Sequence, residues 1–144
     1  MAITVESLPR GAKGSGRGLQ AGLWVGQVLL ALLFAGAGFA KAATPLDELA
    51  VALPYTADLP GLLVRFIGVS EMAGALGLIL PALTRIRPHL TPLAAFGLLT
   101  IMGLATVFHL VRGEFTDMPV TIVIGALAGV VAWGRLRKAP ITPR

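Results

Sequence analysis

LLVRFIGVSEMAGALGLILP, residues Leu62 to Pro81, is a nearly unbroken apolar stretch that nevertheless carries Arg65 and Glu71. At about 1.5 Å per residue it forms a helix close to 30 Å long, the thickness of a bilayer's hydrocarbon core. Arginine and glutamate are among the costliest residues to place there, so the stretch is tolerable as a span only if both side chains find partners inside a bundle.

The remainder of the chain has the same character. Of its 144 residues 56% are hydrophobic and 13% charged, and the mean hydropathy is +0.83. A soluble domain carries about 25% charged residues. A core this small cannot hide so much apolar surface, so lipid must solvate part of it. Four apolar runs of helical length stand out: Leu19 to Ala40, Pro60 to Leu83, Leu90 to Val111, and Pro119 to Trp133. The fourth reaches spanning length only by extending toward Arg137. None alternates with the two-residue period of a transmembrane strand. The fold class expected is all-α, a four-transmembrane-helix bundle.

The charges orient that bundle. Arg10, Lys13 and Arg17 precede the first run, Arg85 and Arg87 separate the second from the third, and Arg135, Arg137, Lys138 and Arg144 follow the fourth. The other set of connections holds Asp47, Glu48, Asp58, Glu114 and Asp117, with Lys41 and Arg112 at the boundary. This asymmetry places both termini in the cytoplasm and the protein in a bacterial-type inner membrane. It also disposes of nucleic acid as a partner. The net charge of +5 belongs to residues that flank spans, with no groove-reading element behind them. The opening apolar run is longer than the 7–15 residues of a signal-peptide core, and Lys41 interrupts the small residues of a would-be cleavage site, so it reads as a retained span.

Residues 1–18, with four glycines, read as a disordered basic tail, 19–137 as the membrane domain and 138–144 as a second tail. Between the first two spans, TPLDELAVAL predicts a short amphipathic helix on the outer surface. Thr44 fits its N-cap, Pro45 its first position, and Asp47 and Glu48 the positive end of the dipole. Leu46, Leu49, Ala50 and Leu53 form its apolar face. Tyr55, Trp24 and Trp133 suit membrane interfaces. Gly18, Gly22 and Gly26, Gly125 and Gly129, and a Ser70–Gly74–Leu78 face with Gly77 beside it favour close helix packing and allow a homo-oligomer.

Four intramembrane polar groups then define a site. Counted from the cytoplasmic ends, Glu71 lies about 18 Å up the second span, Arg65 about 27 Å, His109 about 25 Å up the third, and Lys41 about 33 Å up the first. Helical side chains tilt toward their own N-terminus, so Glu71 leans outward while Lys41 and His109 lean inward, and the groups converge. Arg65 and Glu71, six apart, are poorly placed to pair directly. Lys41 or His109 is the expected partner of Glu71, and Glu114 or Asp117 of Arg65. The reading is a polar pocket open toward the outer face, lined by Lys41, Arg65, Glu71 and His109. Structural glue fixing the order of the helices is the plainer alternative.

Other chemistry finds little support. The chain has no cysteine and only two histidines, His89 and His109, which rules out disulfides and thiolate sites within it and leaves zinc or haem without a ligand set. Ser70 has no triad around it and no phosphate-cradling loop follows a strand, so neither a catalytic residue nor a metal site is assigned.

FAGAGFAK (Phe34–Lys41), RFIGVSEMAGALGLILP (Arg65–Pro81), MGLATVFH (Met102–His109) and a final span opening at Pro119 together resemble the DoxX-like family of small four-helix membrane proteins. Lys41, Arg65, Gly68, Glu71, Pro81 and His109 carry the resemblance. The family's named member is a membrane subunit of a thiosulfate:quinone oxidoreductase. Relatives include membrane partners of redox proteins and an animal receptor chaperone. The resemblance thus implies a non-enzymatic subunit or scaffold that binds a lipid, a quinone or a redox protein partner. A small proton-linked transporter, acting as an oligomer with Glu71 titrating, is the second reading, and an enzyme acting alone the third.

Overall fold

The computed structural model describes residues 13–144, with side chains from residue 16 onward. It is all helical. α1 runs Lys13–Ala43, α2 Leu46–Ala52, α3 Gly61–Thr84, α4 Leu90–Arg112 and α5 Met118–Trp133; a 3-10 helix at Pro54–Asp58 separates α2 from α3. A π-helical turn, Gly134–Lys138, prolongs α5, so the fourth span does reach past Arg137. α1, α3, α4 and α5 with this extension are each long and apolar enough to cross a membrane.

The helices close in the order α1, α3, α4, α5, with α5 returning to α1, and the most extensive contacts join α1 to α3 and α4 to α5. The core is narrow and built from Leu30, Phe34, Ala75, Leu78, Leu98, Met102, Ala128 and Val131 among others. Large apolar side chains such as Leu32, Phe66, Leu83, Leu104 and Val123 point outward. In water that surface would be prohibitive; facing lipid it needs no partner. Arg85 ends α3 in the left-handed region, at φ 57°. Gly113 ends α4 likewise at φ 72°, where glycine carries no steric penalty.

Two boundaries differ from expectation. α1 is already helical at Lys13, inside the segment read as a tail, while residues 1–12 of that tail lie outside the described residues. Thr44 does not cap α2. Its amide still bonds to Ala40 O at 3.0 Å, completing α1, and Pro45 takes the cap position with no side-chain bond. Leu49 is the buried contact of α2, whereas Leu46 remains substantially exposed.

We call the end holding Arg17, Arg85, Arg87, Arg137 and Lys138 the basic end, and that holding Asp47, Glu48, Asp58, Glu114 and Asp117 the acidic end.

Candidate functional site

The geometry at the acidic end starts from two glycines. A Cβ placed on Gly38 would stand 2.6 Å from Gly68 O, and one on Gly68 would stand 2.7 Å from Gly38 O. α1 and α3 therefore cross backbone to backbone, a separation only glycine permits. The helices are antiparallel, and one turn beyond each glycine stands a charge. Lys41 leans back toward its N-terminus and Glu71 toward its own, so both arrive at the crossing. Lys41 Nζ donates to Glu71 Oε1 at 3.0 Å and Oε2 at 2.8 Å, with both side chains more than 90% buried.

Lys41 is thus the partner of Glu71, and His109 is not. His109 Nδ1 instead donates to Glu114 Oε2 at 2.7 Å, while Arg112 Nε donates to Glu114 Oε1 at 2.7 Å and its Nη1 reaches Asp58 Oδ2 at 2.6 Å. Arg65 does not meet Glu114 or Asp117 either. Its Nη1 donates to Lys41 O at 2.7 Å, placing a cation on a carbonyl near the end of α1, where the helix dipole is negative.

Tyr55, from the 3-10 helix, joins the two groups of charges. Its ring meets His109 edge to face, with centroids 5.5 Å apart, and Phe108 at 6.3 Å. Its phenol is held above its ordinary value, first by burial; the nearby Lys41 opposes this and the Glu71 charge adds to it. Glu114 is held below its ordinary value by the hydrogen bond from His109 first and that from Arg112 second.

The four predicted residues therefore gather at one end of the bundle, as two packed clusters with Tyr55 between them. The expected open pocket is instead filled: Glu71 and Lys41 are each 7% exposed or less. A depression on this part of the surface lies outside the cluster and is apolar, lined by Pro60, Leu62, Leu63 and Phe66. His109, Glu114 and Asp117 bring possible metal-ligand atoms within 4.8 Å of one another. Both oxygens of Glu114 are already committed to His109 and Arg112, so the group reads as an ion-pair knot.

A second buried polar group, at the basic end, was not singled out from the sequence. Gln27 in α1 donates from Nε2 to Leu78 O at 2.7 Å and accepts from Arg135 Nε at Oε1. Arg135 also donates from Nη1 to Gln20 Oε1 and, at 3.3 Å, to Ala139 O, and it lies over the Trp24 ring. The amide of Gln27 within an apolar run was the available signal. Arg135 looked like any other basic residue flanking a span.

No curated protein and no solved structure matches the chain. The model of the DoxX-like family matches residues 25–131, which includes α3, α4, most of α1 and α5, and every residue of the acidic-end site. The chain belongs to the DoxX-like family.

Proposed function

We propose that this protein is a non-enzymatic membrane subunit or scaffold, in an inner membrane with both termini cytoplasmic, that engages a lipid, a quinone or a redox protein partner at its acidic end. The observation that carries this reading is the Lys41–Glu71 pair at the Gly38–Gly68 crossing, with Tyr55 against it. A buried bidentate pair fixes the relative position of two helices and keeps a short outer segment in register above them. Nearby, the half-buried Arg65 guanidinium, which spends Nη1 on the Lys41 carbonyl, has further N–H donors to offer beside the flat faces of the Tyr55–Phe108–His109 rings. That chemistry suits a quinone headgroup, an aromatic-sized ring with carbonyl acceptors on opposite edges. The orientation follows from the basic residues gathered at one end.

Mass spectrometry of the small molecules and proteins retained after mild detergent extraction tests the reading. Wild type is expected to retain a quinone, a lipid or an oxidoreductase that Glu71→Gln loses. Monodisperse protein bare of all three would sink it. The proton-linked transporter draws on the mid-membrane carboxylate of Glu71, but Lys41 occupies both its oxygens, and the relay needs that pair to open. Proton flux in liposomes that Glu71→Gln abolishes would favour the transporter over the scaffold.

A further inference from the structure

Arg135 is 2% exposed, and among the described residues its partners are neutral: the amides of Gln27 and Gln20, the carbonyl of Ala139 and the face of Trp24. Among the described residues its Nη2 is buried with no hydrogen-bond partner. A guanidinium removed from water and left without an anion is an expensive arrangement. Among the described residues no side-chain carboxylate lies at the basic end to compensate it.

The local backbone is equally unusual. Arg135 sits in the π-helical turn closed by Ala139 N to Gly134 O at 2.8 Å, a distortion that recurs at functional sites. A Cβ on Gly134 would stand 2.6 Å from Leu23 Cδ2, so the turn is pressed onto α1. Beyond it the chain continues over the basic end and binds there, Arg144 N donating to Arg85 O at 3.3 Å.

This return of the chain forms a cleft of about 200 Å³, lined by Gln20, Trp24, Ala82, Arg85 and the Pro140–Thr142 segment. That is room for six or seven waters at about 30 Å³ each. Gln20 and Trp24 are at once the cleft's wall and the contacts of the Arg135 guanidinium. Arg85 is exposed at its rim, and it makes no ion pair among the described residues.

We propose that this cleft binds a phosphate group, with Arg85 meeting it first and Arg135 supplying the buried charge. Gln20 is the movable part: turning its amide away from Arg135 frees Nη1, which with the unpaired Nη2 makes the flat two-donor fork that fits two phosphate oxygens. The same chemistry arises from the headgroup of an anionic phospholipid or from free inorganic phosphate.

The full-length protein, extracted in mild detergent and supplied with equal phosphatidylglycerol and phosphatidylcholine, tests this by native mass spectrometry. Wild type is expected to retain phosphatidylglycerol at least fivefold over phosphatidylcholine. Arg85→Gln and Arg135→Gln should each bring that ratio close to one, while Arg87→Gln, outside the cleft lining, leaves it unchanged. If Arg135→Gln does not fold, the contrast between Arg85→Gln and Arg87→Gln decides alone. The second arm adds inorganic phosphate and reads Trp24 emission in a Trp133→Phe background. A saturable change lost in Arg85→Gln, with no preference between the two lipids, identifies free phosphate as the occupant. Equal losses in Arg85→Gln and Arg87→Gln would mean diffuse attraction to a basic surface and overturn the site. So would the absence of both lipid preference and phosphate response.

Discussion

Lys41 and Glu71 each stand three residues past the glycine at which their helices cross, and because the helices run in opposite directions the two charges approach from opposite sides of the crossing. The ion pair is therefore a product of backbone proximity as much as of electrostatic attraction. Widening the crossing by one methyl group on either glycine must lengthen or break it.

Gly68→Ala and Gly38→Ala are accordingly expected to destabilise the bundle by about 1–3 kcal/mol each, the usual cost of overpacking. Gly36→Ala, where an added Cβ meets nothing within 4 Å, should be near neutral. Thermal unfolding in a single detergent checks this, and equal effects at positions 36 and 68 would refute the close crossing.

Removing one partner of the buried pair strands the other. Lys41→Met and Glu71→Leu should each cost about 3–5 kcal/mol. The double variant should recover enough to leave a coupling of about 1–3 kcal/mol. Denaturant titration of the four proteins of the cycle measures it. Strict additivity would mean that the two residues act independently.

Glu114 supplies a pH dependence of known sign. Its folded value lies below its ordinary 4.5, so ionised Glu114 favours the folded state. That contribution is complete above the ordinary value and disappears as pH falls through the lower folded one. The stability difference between wild type and Glu114→Gln should hold from neutrality to about pH 5 and shrink below it. A difference that stays constant to the lowest pH at which both fold would contradict the network with His109 and Arg112.

Orientation is open to direct chemistry because the chain has no cysteine of its own. Val51→Cys, highly exposed at the acidic end, and Ile86→Cys, exposed at the basic end, introduce single labels. In intact spheroplasts a membrane-impermeant maleimide should modify position 51 only, and position 86 after permeabilisation. The opposite pattern would invert the proposed topology.

The four spans were legible because apolar length is a sufficient signal in lipid, where the helix must satisfy its own backbone. The convergence of Lys41 and His109 on the level of Glu71 was legible too, since side-chain tilt depends only on chain direction, but tilt left open which of the two pairs with the carboxylate. The choice of His109's partner was not legible. Glu114 lies on the turn five residues later, and the Gly113 C-cap that swings it back has no sequence analogue in a depth count along a straight helix. Glycine spacing marked several real contacts, Gly74 against Leu98, Gly77 against Ala94 and Gly125 against Met102, but not the backbone crossing. Among the described residues a Cβ on Gly18 or Gly22 would meet nothing within 4 Å, whereas one on Gly26 would touch Val131 and Leu127. The decisive close approach used Gly38 and Gly68, one from each helix, which no repeat within a single span reveals. The apolar stripe of α2 was visible, but the role of Tyr55 depends on where the following 3-10 helix sets its ring.

α1 and α3 are consecutive spans, joined only by α2 and one short 3-10 helix. The cation and the carboxylate thus belong to a single hairpin, whose electrostatic closure requires neither α4 nor α5. During synthesis this hairpin can enter the bilayer with Lys41 and Glu71 already paired and Arg65 held on the Lys41 carbonyl. Glu71 then need never wait in hydrocarbon for a counter-charge from a span the ribosome has yet to make.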